Sequence, residues 1–155
     1  MRARAAITLL LLVAGSCRST GPVDPAVRRD LDQARERWQT LAPREYTFES
    51  RQIYFFGPPA MYLWTEVHVR NDSVVGARPL DVVPIGFEPA PLDTWPTVPR
   101  LFSNIEALLR DGSTQEVVTT FDSTFGYPLS IEQRCRPGML DCGITIFSRN
   151  LKVIR

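Results

Sequence analysis

Apolar residues recur with a helical period between residues 24 and 43. They appear every three or four positions there, which places them on one face of a helix. These residues are Val27, Leu31, Ala34, Trp38 and Leu41. Asp24 followed by Pro25 is a typical helix start, because a carboxylate caps the first amides and proline suits the first turn. We expect the helix to end before Pro43, since proline disrupts a helix interior.

After this helix the apolar period shortens to two residues, which is typical of strands. The segment 46–53 predicts a strand with Tyr46, Phe48, Ser50 and Gln52 on one face. The segment 61–80 predicts a hairpin that turns at Asn71-Asp72. Leu63, Thr65, Val67 and Val69 share one face of its first arm, and Trp64, Glu66, His68 and Arg70 share the other. The second face is polar, so we expect His68 to be exposed.

The segment 79–99 is rich in proline, with six prolines among its 21 residues. A regular central strand or helix is excluded, because proline lacks the amide donor and fixes φ. The segment also carries many large apolar residues, which a disordered linker lacks. We therefore expect an ordered loop that lies across the sheet or its edge. Phe87 and Trp95 are its candidate binding residues, because aromatic side chains dominate interface hot spots. The alternative is that both rings cap the core.

The helical period returns near Pro99 and is followed by a second set of strands. An apolar stripe of Val98, Leu101, Phe102, Ile105, Leu108 and Leu109 ends at Gly112. The segment 114–135 then predicts two strands joined by a turn in "DSTFGYP", and a last strand starts at Ile144.

Together these elements predict the fold class and a single domain. Strands joined by short turns form antiparallel sheets, and helices then pack on one face. We predict an α+β fold, an antiparallel β-sheet with two helices packed on one face, in the order α-β-β-β-loop-α-β-β-β. With 155 residues, of which 44% are hydrophobic, the chain is long enough for one domain with a real core. We place that domain at residues 25–155.

The N-terminal segment predicts export. The run from Ala5 to Gly15 is uncharged and follows Arg2 and Arg4. It is too short to span a bilayer, which takes roughly 20 apolar residues. A basic flank, a short apolar centre and a small-residue exit describe a secretory signal peptide, here residues 1–16.

The end of this run resembles the lipobox of bacterial lipoproteins, because Ala14, Gly15 and Ser16 precede Cys17. The resemblance implies that Cys17 is acylated, that cleavage occurs just before it, and that residues 17–24 form a tether. Several acyl chains would hold the protein on the membrane, since one chain gives only marginal binding. The alternative is ordinary cleavage, because Ala14 and Ser16 also fit an A-x-A-like site. Arg18, in place of aspartate, favours the outer membrane in a Gram-negative cell.

The net charge of the chain gives no support for nucleic-acid binding. Removing Arg2 and Arg4 from the 18 basic side chains leaves 16 against 17 acidic ones, a net charge of about −1. Nucleic-acid binding usually shows a basic patch or stripe, so we expect no nucleic-acid partner. The partners expected are membrane lipid through acylated Cys17 and an envelope protein of unknown identity.

The other two cysteines bracket "CRPGMLDC", residues 135–142. Export implies an oxidising compartment, where neighbouring cysteines pair, so we predict a Cys135–Cys142 disulfide. Pro137-Gly138 inside the loop is a turn signal. The alternative is a metal site, but two cysteines and one distant histidine make a poor ligand set.

Several motifs resemble an uncharacterised bacterial lipoprotein family. They are Trp38 late in the first helix, "YTF" (46–48), "VHVRNDSVV", "VPRLFSNIEALL" and "VVTTFDSTFGYPLSIEQ". The chain is similar to domain-of-unknown-function family six-one-seven-four from roughly Trp38 to Leu151. The most specific part is "FDSTFGYPLSI", which resembles the family's Y-D-x-x-x-G-Y-P-x-x-I signature with Phe121 in place of tyrosine. The resemblance implies a lipoprotein and a fold, and it transfers no catalytic residues.

Chemistry-bearing motifs are sparse in the chain. It has one histidine and no G-x-S-x-G, H-E-x-x-H, Walker or G-x-G-x-x-G motif. We therefore expect a binding or accessory lipoprotein with no cofactor, no metal and no catalytic residues. The alternative is a small periplasmic hydrolase that uses Asp122 and His68. It requires the two side chains to lie within about one water-bridged hydrogen bond of each other.

Overall fold

The computed structural model describes residues 24–54, 59–139 and 142–154. The predicted signal peptide, Cys17 and the tether as far as Val23 lie outside these residues. The helices are α1 Pro25–Leu41 and α2 Val98–Arg110. The strands are β1 Glu45–Tyr54, β2 Thr65–Arg70, β3 Ser73–Pro79, β4 Thr114–Phe121, β5 Pro128–Cys135 and β6 Ile144–Val153. Short 3₁₀ helices lie at Pro59–Tyr62 and Leu92–Thr94.

One antiparallel sheet contains all six strands in the order β3-β2-β1-β6-β5-β4. Each half of the chain contributes a three-stranded meander, and the two meanders join where β1 pairs with β6. Both helices contribute to a single core with one face of the sheet. The predicted α+β class and element order are confirmed.

The sheet has two distinct ends. We call the upper end the one where β1, β3 and β5 finish and β2, β4 and β6 begin, and the opposite end the lower end. The β2–β3 turn lies at the lower end, where Asn71 and Asp72 both adopt positive φ as a tight hairpin turn requires. The β4–β5 turn also lies there. The proline-rich loop and the 135–142 loop leave the sheet from the upper end.

The helices run in opposite directions between these ends. Only three residues separate Leu41 from β1, so α1 finishes at the lower end, and α2 finishes at the upper end just before β4. Arg28 near the start of α1 contacts Glu106 near the end of α2, as this arrangement requires. Asp24, which caps α1 by accepting the Ala26 amide at 2.8 Å, therefore lies toward the upper end.

The core is built around Tyr46. Its ring meets the edge of Trp38 at 5.4 Å, and its hydroxyl accepts the Val98 amide at 3.1 Å. Burial raises the pKa of the Tyr46 phenol, so the group stays a neutral hydrogen-bonding partner. The other fully buried large side chains are mainly aliphatic: Leu31, Leu101, Ile105, Ile131, Ile146, Val67, Val69 and Val98, with Phe48. Tyr46 thus joins α1, β1 and the start of α2.

The face of the sheet opposite the helices carries a stack of rings and guanidinium groups. Arg149 lies 3.8 Å above the Trp64 ring, and Arg51 lies 5.1 Å from the same ring. Arg51 is also 5.2 Å from the Phe147 ring, which faces it directly across the β1–β6 pair. Arg149 is held from the other side by Glu49 at 2.7 Å. These groups pack against one another across β1, β6 and the start of β2.

Two arginines of α1 make contacts that the helix sequence alone did not predict. The charged face of α1 suggests a solvated surface with local ion pairs. Instead Arg28 and Arg35 both reach Glu106 of α2, at 2.7 and 3.1 Å. Burial by itself raises the pKa of Glu106, but the hydrogen bonds and charges of the two arginines outweigh it and lower the pKa.

This cluster makes part of the stability dependent on pH. A carboxylate with a lowered folded-state pKa stabilises the fold above its unfolded pKa of about 4.5 and loses that contribution as pH falls through the folded value. We expect Glu106→Gln to be less stable than wild type at neutral pH and to approach wild type on acidification. Urea unfolding from pH 7 to pH 2.5 measures this difference. A gap that stays constant down to the lowest pH contradicts the assignment.

Candidate functional site

An apolar cleft lies between the proline-rich loop and the helix-side face of the β2–β3 hairpin. Its volume is about 220 Å³. It is lined by Ala60, Leu63, Thr65, Ala77, Pro79, Val83, Phe87, Pro89, Ala90 and Trp95. A volume of this size fits a short alkyl segment or one aromatic side chain, and predominantly apolar walls are typical of ligand pockets.

Hydrogen bonds fix both ends of the loop that forms the cleft. Where the loop leaves β3, the Leu80 amide donates to the Trp64 carbonyl at 2.7 Å, and Asp81 accepts the Trp64 amide at 2.8 Å. At the other end Arg100 of α2 donates to the Asp93 carbonyl at 2.9 Å. The loop is therefore held against the hairpin, although its prolines exclude it from the sheet.

The two aromatic residues singled out in this loop both line the cleft. Trp95 is only 2% exposed and belongs to the core, so it does not serve as an exposed anchor. Phe87 is half-buried. The small residues Ala77 and Ala90 leave the space between the walls. No pattern in the sequence predicts this role, because the walls come from three separate stretches of the chain, residues 60–65, 77–79 and 83–95.

The cleft offers almost no polar chemistry. Among the described residues that line it, only Thr65 and Trp95 have a side-chain polar atom, and the Thr65 hydroxyl donates to the Leu63 carbonyl at 3.4 Å. No ionisable side chain is among the described residues that line it. The walls of the cleft therefore suit apolar groups.

A buried polar row crosses the sheet beside the cleft. Thr65 of β2 faces Ser50 of β1, and Ser50 faces Ser148 of β6. Ser50 is completely buried, and its hydroxyl has no hydrogen-bond partner within the described part of the chain. An unpaired buried hydroxyl costs about 1–3 kcal/mol of desolvation.

We therefore expect Ser50→Ala to leave the free energy of unfolding unchanged or to raise it by up to about 1 kcal/mol. Thr97→Val provides the contrast, because the buried Thr97 hydroxyl accepts the Arg100 amide at the start of α2. Losing that cap should cost about 1 kcal/mol. Urea unfolding compares the two variants. A cost above about 1.5 kcal/mol for Ser50→Ala would show that the hydroxyl is satisfied, for example by ordered water.

His68 and Asp122 are not brought together. His68 lies on β2 and Asp122 follows β4, four strand spacings away in the sheet order, or about 19 Å. His68 is half-buried rather than exposed, because its Nε2 contacts Glu45 at 2.8 Å beside Arg70. Hydrogen bonds from Arg70 and His68 lower the pKa of Glu45. The pair that a hydrolase would need is therefore not formed.

Asp122 instead closes the β4–β5 turn. Its carboxylate accepts the amides of Thr124 and Phe125 at 3.0 and 2.6 Å, and its own amide donates to the Tyr127 carbonyl at 2.9 Å. Tyr127 and Pro128 are buried against the core side of the turn. The segment "DSTFGYP" thus forms the predicted turn, in which the Asp122 side chain accepts local backbone amides.

Gly126 lets this turn dock on α1. It has φ of +81°, and a Cβ atom built on it would lie 2.3 Å from the Ala34 carbonyl oxygen. Only a residue without a side chain allows this approach. The sequence alone does not reveal this contact with α1, because it joins segments that are far apart in the chain.

The predicted disulfide between Cys135 and Cys142 is present, with Cα atoms 6.0 Å apart. It closes the loop at the upper end. Among the described residues no group of three or more His, Cys, Asp or Glu side chains could hold a metal ion. Within the same residues no helix has the length and apolar character needed to cross a membrane.

Comparison with known proteins identifies one matching family model. The model of the "Family of unknown function (DUF6174)" matches residues 30–153. Neither the curated proteins nor the solved structures provide a match.

Proposed function

Since the chain belongs to the family of unknown function DUF6174, we propose that it is an exported, lipid-anchored protein of the bacterial envelope that works by binding. The apolar cleft under the proline-rich loop is the binding site. Its occupant is an apolar group presented by an envelope partner. The cleft itself, apolar and free of ionisable side chains among the described residues, is the observation that carries the binding role.

Two independent features support export and anchoring. The sequence from Arg2 to Cys17 has the basic flank, apolar centre and small-residue exit of a lipoprotein signal. The Cys135–Cys142 disulfide fits an oxidising compartment such as the periplasm. The absence of Asp after Cys17 favours the outer membrane if the cell is Gram-negative.

The anchor is tested by metabolic labelling with radioactive palmitate. The wild-type protein should take up the label and remain with the membrane fraction. Cys17→Ser should lose both properties, whereas Cys142→Ser should keep them. Equal labelling of wild type and Cys17→Ser, or no labelling of either, contradicts the anchor.

The cleft is tested by NMR titration with indole, an uncharged probe of about the size of one aromatic side chain. We expect saturable binding that Ala90→Leu weakens at least about tenfold, because the added side chain fills the space that the probe needs. Ala26→Leu makes the same change at an exposed position of α1 and should leave binding unchanged. Equal binding by the two variants contradicts the assignment of the site.

A further inference from the structure

The upper end of the molecule displays apolar side chains that nothing in the described chain covers. Val82 is 92% exposed and Ile85 is fully exposed. Leu80, Val83 and Met139 are also exposed large apolar residues. The first four follow β3, and Met139 lies in the disulfide loop that follows β5, so all five belong to the same end. The four residues that follow β3 are close together in the chain, and exposed apolar residues clustered in this way mark an interaction surface.

The same end lies close to the predicted anchor. Asp24 begins α1 toward the upper end, and only six residues separate it from Cys17. The seven residue steps from Cys17 to Asp24 span at most about 25 Å when fully extended. The sheet is longer than this tether, because a ten-residue strand such as β1 is about 33 Å long. A bilayer that holds the anchor therefore meets the upper end before the lower one.

From this placement we propose that the upper end sits on the bilayer and inserts residues 82–85 into the lipid interface. The proposal rests on the lipid anchor of the proposed function and names the surface against which the protein works. It also places the opening of the cleft beside the lipid, because Val83 and Phe87 line the cleft within the same loop.

The composition of the inserting segment suits a lipid interface. Val82, Val83 and Ile85 supply apolar side chains that gain by leaving water. Pro84 has no amide donor, so it has none to leave unpaired in the apolar layer. The Phe87 amide is already paired with the Pro84 carbonyl at 3.2 Å. Asp81, the nearest acid, is engaged by the Trp64 amide at the base of the loop.

The test compares two isoleucines at opposite ends of the molecule. Ile85 lies at the upper end, and Ile154 follows β6 at the lower end, where it is 40% exposed. Each is replaced by cysteine in turn, Ile85→Cys or Ile154→Cys, and labelled with the environment-sensitive fluorophore NBD. The protein acylated at Cys17 is reconstituted into phosphatidylethanolamine–phosphatidylglycerol vesicles. Lipids that carry a nitroxide near the headgroup then quench whichever probe enters the interface.

We expect strong quenching and a blue-shifted emission for the probe at position 85 and neither at position 154. An interfacial segment sits about 5–10 Å into the headgroup boundary, which is within reach of a shallow nitroxide. Adding Val82→Glu should reduce quenching at position 85, whereas adding Val153→Glu should not. Absence of quenching at position 85, or equal quenching at both positions, overturns the proposal and leaves a protein partner as the occupant of this surface.

Failure of the anchor is recognised separately on the same samples. Mass spectrometry reports whether Cys17 carries acyl chains, independently of where the probes lie. If the protein is acylated but the probe at position 85 is not quenched, the placement of the upper end on the bilayer is refuted and the lipid anchor is not. If the protein is not acylated, quenching at positions 85 and 154 is compared with vesicles in excess. Equal or absent quenching at the two positions then still refutes the placement of the upper end on the bilayer.

Discussion

Replacing Gly126 with alanine is expected to lower the free energy of unfolding by about 2–5 kcal/mol, from backbone strain and overpacking combined. The strain arises because φ at this position is +81°, where a side chain clashes with its own backbone. The overpacking arises because the new Cβ would lie 2.3 Å from the Ala34 carbonyl oxygen and 3.0 Å from the Arg37 Cβ. Neither α1 nor the turn has an easy way to move, since the Ala34 contact is to backbone.

Two other glycines serve as controls that separate the cost of backbone strain from the cost of the steric overlap. Gly138 and Gly86 have φ of +85° and +84°, and nothing lies within 4 Å of a Cβ built on either. Gly138→Ala and Gly86→Ala should therefore cost only the strain, about 1–2 kcal/mol. Guanidinium unfolding of the three variants measures the difference. If Gly126→Ala costs no more than the two controls, the close contact between the turn and α1 does not exist in solution.

Loss of the Cys135–Cys142 disulfide is the second large effect. The bridge closes a loop with a sequence separation of seven, for which chain entropy gives a stabilisation of about 2.5 kcal/mol. We expect the free energy of unfolding of the double variant Cys135→Ser/Cys142→Ser to be lower by that amount, so the variant should unfold at a lower denaturant concentration. The variant should otherwise keep its fold, because neither cysteine belongs to the main core.

Reduction provides an independent control for this prediction. Wild type treated with dithiothreitol should match the double serine variant, and the reductant should leave that variant unchanged. A stability difference below about 0.5 kcal/mol would mean that strain in the bridge cancels its entropic effect.

Much of the fold was predictable because local periodicity reports it directly. Asp24-Pro25 and Pro43 bracketed α1, and the alternation from Tyr46 onward predicted β1 and the residues that share each of its faces. Asn71-Asp72 gave the hairpin turn. In each case residues adjacent in the chain determine the local structure, so that structure can be predicted from a single sequence.

The site was less predictable because its parts meet only through tertiary contacts. Trp95 is buried and Phe87 half-buried in one cleft wall, while Ala77 comes from a strand that lies well before them in the chain. The pairing of Arg28 with Glu106 likewise depends on the crossing of two helices. No local pattern encodes which distant segments touch.

The family signature acquires a physical meaning from these contacts. Asp122 shapes the turn, Gly126 permits its approach to α1, and Tyr127 is buried beneath it. The motif therefore explains how the two layers are held together. It lies at the lower end, opposite the cleft, so changes in it should affect stability rather than binding.

The mass of the N-terminal peptide of the protein extracted from its own membranes tests the central claim most directly. The proposed lipoprotein should begin at Cys17 and carry diacylglycerol on the thiol, with or without a further chain on the amine. An N-terminus at any other residue, or a Cys17 peptide with no acyl group, would contradict it.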